Sequence, residues 1–395
     1  MPKKLICKQC GHSFYITKKE EAYYLKKGLN IPKRCKFCRE KNKFNNNEKI
    51  EIDFNIITLE ELSKNISNNT LYVIGNGFDI YHGVKSSYCD FSRSIGKNST
   101  LRNTLELYVN KPQTEIWGDF EDSLAHIDRG SVLRQLDNFL YIYDVKEEDD
   151  DDFKTSSFFL AIDSTLDGLD ELIEDLPKRF KSWISALSPK NNETPLKQII
   201  HTNAQFINFN YTEFLETLYD VKKENIIYIH GDRRNRKDTL VLGHGHDSEE
   251  MYEQWYEENK PAKISSNDIV SLAYYYDEDE DDYDKWKSPT RYYATMKALE
   301  RIEQYYDDSA KKTEDVIRKY NNFEDYSNTK TIVTIGHSLS FVDYPYFKKI
   351  IEVNNNAKDL QWYISYYSNN DIKRIREFVS EMNIDINQVK VFKLG

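Results

Sequence analysis

The sequence of 395 residues lacks any apolar run close to the roughly 18 residues that an α-helix needs to cross a bilayer. Hydrophobic residues nevertheless make up 39% of the chain, and many of them are aromatic, with 29 Tyr and 20 Phe. That supply is enough for a packed core. We therefore expect a soluble, cytoplasmic protein that makes no contact with a membrane.

Cysteine is scarce as well, with five in the whole chain, and four of them form two CxxC pairs. Two residues between thiolates allow a tight turn to point both sulfurs at one ion, and a second such turn completes the tetrahedron that zinc prefers. The alternative is a pair of disulfides in a secreted module. We expect no signal peptide before the first pair, and Cys89 is left over, so a reducing compartment is favoured. The predicted ligands of one structural zinc ion are Cys7, Cys10, Cys35 and Cys38.

The charge is unevenly distributed along the chain. The formal net charge is −11, yet residues 1–44 hold 13 Lys or Arg against 3 Asp or Glu. The remainder is therefore strongly acidic and a poor general binder of nucleic acid. The basic segment can follow a phosphate backbone, although Lys-rich surfaces also serve only solubility.

Composition and pattern divide the chain into three parts. Residues 1–44 are predicted to form a zinc ribbon, residues 45–69 a linker and lead-in, and residues 70–395 an α/β domain with a helical insertion at about 100–200. The acidic run at 146–153 is expected to be a solvated loop, and a second acidic run lies at 277–284.

The last third of the chain alternates between strand and helix patterns. The segments TIVTIG, LQWYISYY and VKVFKL are predicted strands, and the helical patterns YPYFKKIIEVN and NDIKRIREFVSEM lie between them. Further strands are predicted at 204–210, 226–231 and 239–245. This alternation predicts a mostly parallel sheet with helices on both faces. Such a sheet binds its ligand beyond the carboxyl ends of its strands.

Two motifs with candidate binding residues follow the first strands of this sheet. In VIGNGFDIYHGV (73–84), Gly75 and Gly77 allow a sharp turn that brings backbone N–H groups to a phosphate. In NFNYTEFLE (208–216), Asn210 ends a strand, where its amide can orient a hydroxyl group or a water molecule. Asn210 can instead, or in addition, cap a helix that starts near Thr212.

Two further motifs follow later strands. In IYIHGD (227–232), His230 can present its imidazole to the cleft, although a lone histidine is more often a plain polar residue. In TIGHSLSFVDYPYF (334–347), a Gly-His-Ser triplet again follows a strand, and Asp343 can cap the next helix. His244 and His246, in GHGH, suggest a second metal site with Asp247, but alternate residues chelate poorly without a third partner.

The order and spacing of these motifs resemble a known family. The series IGNGFD…HG, FNYT…LE, IHG and IGHSL…D…F is similar to the AbiH family of bacterial phage abortive-infection proteins. Trp117 and Glu121 in WGDFEDSL resemble the W–x–x–x–E element of that family. The resemblance covers about residues 70–355.

AbiH motifs in turn look like a remote variant of the sirtuin-like NAD fold, a Rossmann-like sheet. That resemblance implies Asn210 and His230 as a catalytic pair. The loops that it implies as binding the cofactor contain Gly75, Asn76, Gly77, Phe78, Asp79, Gly83, Gly231, Gly336, His337 and Ser338. Glu216 also matches the pattern of the second motif.

The chain departs from the sirtuin pattern at several positions. Asn76 and Asp79 stand where the pattern has Ala and Ser, Lys85 replaces Pro, and Thr212 replaces Asp. A carboxylate at Asp79 would repel a pyrophosphate unless it faces a ribose hydroxyl group or a cation. No cysteine pairs lie between the motifs, which disfavours protein deacylation.

The resemblance implies a phage-defence effector that binds and hydrolyses NAD as its nucleotide ligand, and the cysteine pairs outside it predict zinc as a structural cofactor. A non-catalytic nucleotide-binding signalling protein is one alternative. A toxin of another activity, docking on nucleic acid or a ribosome through the zinc ribbon, is another. We also expect the basic ribbon to be a contact for nucleic acid or a phage component, and the chain to be able to form homo-oligomers.

Overall fold

The computed structural model describes residues 3–6, 8, 13–16, 24, 31–34, 53–67, 69–96, 98–109, 117, 120–127, 155–190, 193–235, 240–246 and 289–394. The chain divides into two compact units. The first consists of residues 1–94, 184–240 and 313–395, and the second of residues 95–183 and 241–312.

The first unit is built on a sheet of seven strands. Its strands are β3 (Asn55–Ile57), β4 (Thr70–Ile74), β5 (Gln205–Asn208), β6 (Ile226–Tyr228), β7 (Thr331–Ile335), β8 (Gln361–Tyr366) and β9 (Val389–Lys393). Their order is β3-β9-β8-β7-β4-β5-β6, and every neighbouring pair is parallel. The sheet is therefore entirely parallel, where the sequence predicted a mostly parallel one. From β4 the chain first adds strands on one side and then, from β7, on the other.

The central strands are apolar because both of their faces are covered. All five residues of β4, TLYVI, and all five of β7, TIVTI, are buried, which is the pattern of strands inside a parallel sheet. The helices of this unit are α1 (Leu59–Asn65), α2 (Asn76–Tyr81), α3 (Tyr88–Ile95), α7 (Phe214–Tyr219), α9 (Thr313–Lys319), α10 (Tyr344–Val353) and α11 (Asn369–Glu381).

An aromatic cluster fixes α10 and α11 on one face of the sheet. The rings of Phe347 on α10 and Phe378 on α11 lie 4.9 Å apart in an edge-to-face arrangement, and Trp362 of β8 packs against Phe378 at 5.6 Å. Near the amino ends of β4 and β5, Tyr72 stacks on Phe206 with ring centroids 4.8 Å apart. Offset and edge-to-face rings contribute beyond their buried area, so these contacts hold the strand register.

The predicted linker contributes to this fold. β3 and α1 both lie within residues 45–69, and β3 pairs with β9 at the edge of the sheet. Thr58 caps α1 in a capping box, in which its hydroxyl group accepts from the Glu61 N–H and the Glu61 carboxylate accepts from the Thr58 N–H. The polar segment predicted as a linker therefore contains a short edge strand that the sequence pattern did not predict.

The second unit is helical among its described residues. It contains α4 (Thr100–Tyr108), α5 (Phe120–Ser123), most of α6 (Thr155–Ser185) and α8 (Pro289–Ser309). Thr104 donates to Glu171 at 2.7 Å, and Arg301 pairs with Asp170 at 3.1 Å, so α4 and α8 both contact α6. The insertion predicted at about 100–200 thus continues into residues 241–312.

One predicted strand is wrong. The described part of the segment predicted at 239–245, residues 240–245, forms no strand, and an isolated parallel bridge joins His244 to Ala310. The strand does not form because the backbone of His244 pairs with the end of a helix and not with a strand of the sheet. The acidic runs at 146–153 and 277–284 lie outside the described residues.

The described amino-terminal residues form a hairpin. β1 (Lys3–Ile6) pairs antiparallel with β2 (Ser13–Ile16), from Lys3 opposite Ile16 to Ile6 opposite Ser13. Across the whole described part of the chain, no helix combines the length and apolarity needed for a membrane span.

Candidate functional site

The four sequence motifs lie at one edge of the sheet. β6, β5, β4 and β7 are consecutive neighbours and all parallel, so the segments that follow them meet at their carboxyl ends. The expectation that all four motifs share an edge agrees with this topology.

The glycine turn after β4 packs directly on the turn after β7. The Gly75 N–H donates to the Ile335 carbonyl at 3.0 Å, and the Gly77 N–H donates to the Gly336 carbonyl at 2.7 Å. A Cβ atom on Gly75 would lie 2.4 Å from the Cα atom of His337. The two loops can approach this closely only without side chains.

Gly336 is required for a second reason. Its φ of +66° lies in the left-handed region, and an added Cβ atom would lie 2.2 Å from the Phe78 nitrogen. The sequence analysis expected the N–H groups of Gly75 and Gly77 to face a phosphate. In the structure they instead bind carbonyl groups, because the turns meet each other.

A buried polar network joins α2 to the end of β5. Asp79, which is 2% exposed, accepts from Asn210 Nδ2 at 2.9 Å and from Thr212 Oγ1 at 2.7 Å. The second hydrogen on Asn210 Nδ2 goes to the Gly75 carbonyl at 3.1 Å. Asn210 therefore faces the glycine turn.

Burial dominates the electrostatics of Asp79. Loss of hydration raises the pKa of its carboxyl group to about 7, against the lowering effect of the hydrogen bonds from Thr212 and Asn210. Near neutral pH the carboxyl group therefore exchanges between its charged and neutral forms. A titrating group in such a position is typical of functional sites.

The helix-capping alternative for Asn210 is excluded. α7 begins at Phe214 with Glu213 at the N-cap position. The Asn210 N–H donates to Asn208 Oδ1 at 3.0 Å, and Asn208 Nδ2 donates to the Thr212 carbonyl at 3.1 Å. Asn208 thus shapes the turn that presents Asn210, a role that the sequence analysis missed because Asn208 lies inside the predicted strand.

His230 belongs to a second buried cluster at the same edge. Asp343 lies between two imidazoles, with Oδ1 3.5 Å from His230 Nε2 and Oδ2 3.5 Å from His337 Nε2. Phe209 packs edge-to-face on both rings, with centroids 5.1 Å from His230 and 4.3 Å from His337. The His337 Nδ1 atom accepts from the Leu339 N–H at 2.9 Å, so the ring hydrogen of neutral His337 lies on Nε2, toward Asp343.

From the sequence, Asp343 was expected only to cap the following helix. It does occupy the N-cap position of α10, but its side chain makes no capping hydrogen bond. The carboxylate faces the histidines instead. A signal for this role was present in the sequence, since Asp343 is the acidic residue closest after the Gly-His-Ser triplet.

The family of the chain follows from its sequence. Residues 71–366, about three quarters of the chain, match the family model described as Bacteriophage abortive infection AbiH. The chain belongs to the AbiH family. Membership of that family suggests a role in phage abortive infection. Residues 2–47 match the model of a probable treble clef domain. No curated protein and no solved structure matches the chain significantly.

The AbiH match begins inside β4 and ends with β8, so it includes all four strands that carry the motifs. It also includes the second unit. The W–x–x–x–E element lies in the second unit, where its Glu121 pairs with the buried amine of Lys311 at 2.9 Å.

The remaining predicted binding residues of the AbiH chain are less central. Asn76 is exposed and donates to the Ser86 carbonyl at 2.8 Å, Phe78 is buried against His82, and Ser338 is exposed. Gly83 and Gly231 have positive φ angles where the chain turns.

Glu216 lies in a separate charged cluster. It pairs with both terminal nitrogens of Arg234, at 3.0 and 2.5 Å, and accepts from Tyr228. These partners follow β6 or lie in it. Glu216 is therefore engaged in fixing the loop after β6.

A pocket of about 390 Å³ lies elsewhere on this unit. Its lining comes from residues 194–203, which precede β5, and from the end of α7. It includes none of the motif residues, because it lies toward the amino end of β5.

The predicted zinc ligands Cys7, Cys10, Cys35 and Cys38 lie outside the described residues. One neighbouring contact fits their joint role. The Lys8 N–H donates to the Lys33 carbonyl at 2.9 Å. Lys8 lies between the first two cysteines in sequence and Lys33 two residues before the third, so the segments that carry the pairs are joined. The treble clef match and this contact both fit four thiolates around one structural ion.

Proposed function

We propose that this AbiH chain is an abortive-infection effector that binds NAD or a close relative at the carboxyl edge of β6, β5, β4 and β7 and hydrolyses its N-glycosidic bond. One observation carries the proposal. The Asp79–Asn210 network and the His230–Asp343 cluster both reach the glycine turn, the first through the Gly75 carbonyl and the second through His337.

The strand order supports a nucleotide ligand. Counted from β4, the order β6-β5-β4-β7-β8-β9 corresponds to the order 3-2-1-4-5-6 of doubly wound dinucleotide-binding sheets. Those sheets bind where the strand order reverses, which here is between β4 and β7. This support is an analogy of topology, and the side chains at that edge have to carry the chemistry.

The state of Asp79 removes one objection to a pyrophosphate. A fixed carboxylate in this loop would repel phosphate groups, as the sequence analysis noted. With a pKa of about 7, Asp79 is partly neutral at physiological pH, and its oxygens already accept from Thr212 and Asn210. The glycine turn is therefore less negative than its sequence suggests.

Hydrolysis of NAD makes modest demands on the protein. The bond between the ribose anomeric carbon and the nicotinamide nitrogen breaks, and the electron pair leaves with nicotinamide, which departs neutral. Because the leaving group is cationic in NAD, no general acid is needed. A water oxygen bonds to the anomeric carbon and loses one proton, and the transition state resembles an oxocarbenium ion.

His230 and Asn210 have complementary roles in this proposal. His230 takes the proton from the attacking water, and Asp343 orients the imidazole and stabilises its charged form. Both hydrogens of Asn210 Nδ2 are used by Gly75 and Asp79. The Oδ1 atom is thus the one that accepts from the water or a ribose hydroxyl group.

Burial of the site supports an effector that is inactive until triggered. Asn210 is 5% exposed and His230 is 4% exposed, so substrate access requires the loops at this edge to separate. An effector that consumed NAD constantly would harm an uninfected cell. We therefore propose low basal turnover and an activating event, for which the basic amino-terminal segment is the proposed sensor and homo-oligomerisation a proposed switch.

The test measures nicotinamide released from NAD by the purified full chain. His230→Ala is expected to lower turnover by ~10²–10⁴-fold, and Asn210→Ser to lower it as well. His201→Ala and Asn225→Ala are matched controls, because they remove the same side-chain types elsewhere in the first unit. Equal turnover by all five proteins would contradict the hydrolase proposal, provided that thermal melting shows all of them folded.

A specific observation favours one second candidate. Asp79 and Thr212 both depart from the sirtuin pattern and are hydrogen-bonded to each other at 2.7 Å, which fits a site that binds a nucleotide without turning it over. Binding of NAD or ADP-ribose that the Asn210 variant loses, with no nicotinamide released by any protein, would establish this signalling role in place of hydrolysis.

The basic segment supports a separate proposal on partners. Residues 1–44 carry 13 basic against 3 acidic residues, and we propose that they contact nucleic acid or an acidic phage component. Binding of the full chain to RNA or DNA that weakens steeply with salt is the expected result. Binding that persists after Lys3, Lys4 and Lys8 are changed to Ser would contradict it.

A further inference from the structure

Three metal-ligating side chains meet in the second unit, away from the motifs described above. Asp122, His126 and His246 each offer one ligand atom, and these atoms all lie within 4.8 Å of one another. Asp122 and His246 are already in contact, with His246 Nε2 2.8 Å from Asp122 Oδ1. The rings of His126 and His246 have centroids 6.0 Å apart.

We infer that these three side chains bind one divalent transition-metal ion of the zinc class. Two imidazoles and one carboxylate are a ligand set of catalytic zinc sites, in which a fourth position holds water. Nitrogen and oxygen ligands at about 2.0–2.1 Å from a tetrahedral ion lie roughly 3.3 Å apart. The observed separations, which are 2.8 Å for His246 and Asp122 and at most 4.8 Å for the other pairs, need adjustments of up to about 1.5 Å to reach that geometry.

Local structure explains why Asp122 and His126 share a face. Asp122 lies on α5, and the chain continues the turn beyond it, with the Ala125 N–H donating to the Asp122 carbonyl and the His126 N–H donating to the Ser123 carbonyl. Residues four apart on such a turn are neighbours. The Tyr305 hydroxyl group holds the turn from α8, by donating to the Leu124 carbonyl at 2.7 Å.

His246 is positioned by a different anchor on the same helix end. The His244 N–H donates to the Ser309 carbonyl at 2.9 Å, and the Lys311 N–H donates to the His244 carbonyl at 2.7 Å. Gly243 permits this close approach, since an added Cβ atom would lie 2.1 Å from the Ser309 oxygen. Both ligand-bearing segments are therefore fixed to the end of α8.

The burial of the cluster is suited to a bound ion with an open position. Asp122 is 4% exposed, whereas His126 and His246 are half-buried. The neighbouring Glu121 is paired with Lys311 at 2.9 Å and is not counted as a ligand. Asp122 is thus the buried member of the cluster, and the two half-buried imidazoles are the members that solvent reaches.

The sequence had shown only part of this site. His244 and His246 were considered with Asp247, and no third partner from elsewhere in the chain was apparent. Asp247 lies outside the described residues. The partners that the structure supplies are Asp122 and His126, which are more than a hundred positions away in the chain.

The test is a calorimetric titration of Zn²⁺ into the purified full chain, which is compared with Asp122→Asn, His246→Gln and the control His201→Ala. Wild type and His201→Ala should take up one more equivalent of Zn²⁺ than the two cluster variants. Loss of even an outer-shell partner costs roughly 10–100-fold in metal affinity, so loss of a direct ligand should weaken this event at least that much.

Zinc binding by the treble clef cysteines does not affect the comparison of Zn²⁺ uptake, because all four proteins retain these cysteines. Thermal melting without added metal establishes that each variant is folded, and His246 is partly exposed, so His246→Gln leaves the core intact. An identical titration curve for all four proteins would overturn the inference. A cluster-dependent event that Mn²⁺ and Zn²⁺ produce alike would support it, because thiolate sites disfavour Mn²⁺.

Discussion

The amide of Asn210 donates to the carboxyl group of Asp79 at 2.9 Å, although 131 positions separate the two residues in the chain. This contact joins the end of β5 to the helix that follows β4. It places a titrating acid at the glycine turn. Two predictions concern its protonation.

The first prediction is a pH dependence of stability that Asp79 causes. In the unfolded chain an aspartate has a pKa near 3.9, and in the folded protein burial raises the pKa of Asp79 to about 7. Between these values the folded state binds more protons, so the free energy of unfolding decreases as pH rises from about 4 to about 7. Each pKa unit corresponds to ~1.4 kcal/mol.

Denaturant unfolding of wild type and Asp79→Asn across this pH range measures the effect. The stability of wild type relative to the variant should fall with rising pH and become constant above about pH 7. Subtracting the free energy of unfolding of the variant from that of wild type cancels the contributions of the other titrating groups. A difference that does not change with pH would show that Asp79 ionises normally in the folded protein.

The second prediction concerns Thr212, whose hydroxyl group donates to Asp79 at 2.7 Å and lowers the pKa of that carboxyl group. Thr212→Val removes the donor and keeps the shape. The pKa of Asp79 should rise by roughly one unit, the size expected for a hydrogen bond to a charged group. Thr212→Ser keeps the hydroxyl group and should leave it unchanged. Carbon NMR of the Asp79 carboxyl group measures its pKa in both variants. The same titration midpoint in Thr212→Val and Thr212→Ser would contradict the assigned role of Thr212.

The third prediction concerns the contact between the two glycine turns. Gly336→Ala introduces a side chain at a φ of +66° and places its Cβ atom 2.2 Å from the Phe78 nitrogen. Left-handed strain of ~1–2 kcal/mol and overpacking of ~1–3 kcal/mol should both reduce the free energy of unfolding.

Gly96→Ala is the matched control. Gly96 also has a positive φ of +82°, but an added Cβ atom meets nothing within 4 Å. The variant should lose only the strain term of ~1–2 kcal/mol. Equal losses at Gly336 and Gly96, measured by denaturant unfolding, would mean that the turns do not pack as tightly as the structure has them.

The fourth prediction concerns the amino-terminal cysteines. Cys35→Ser should remove one equivalent of zinc from the protein as purified, because three thiolates hold the ion far less tightly than four. Cys89→Ser changes a thiol outside the CxxC pairs and should leave the zinc content unchanged. Elemental analysis of both variants decides the matter: the same zinc content in Cys35→Ser and wild type would contradict a four-cysteine site.

Much of the sheet could be predicted from the sequence, because its strands are short segments rich in β-branched and aromatic residues. β4, β5, β7, β8 and β9 all have this pattern. The edge strand β3 could not be found, because three residues in a polar segment, two of them exposed, carry no periodicity. The segment at 239–245 was predicted as a strand for its apolar residues, yet the partner of His244 is the end of a helix.

For the candidate site, motif order identified the residues but not their contacts. Asp79 was identified as a departure from the pattern, and its neutralising environment depends on Asn210 and Thr212, which reach it only in the folded chain. Asp343 faces two histidines that come from different strands. Side-chain contacts across parallel strands have no fixed spacing in sequence, so neither cluster could be derived from the sequence alone.

The central claim is that a nucleotide binds at the shared edge of β6, β5, β4 and β7, and amide hydrogen exchange with and without excess NAD tests it most directly. Slower exchange in residues 76–83, 209–213, 229–232 and 336–340, with no change in β8, is the predicted result. Unchanged exchange in all four segments, or protection confined to another part of the chain, would contradict the claim.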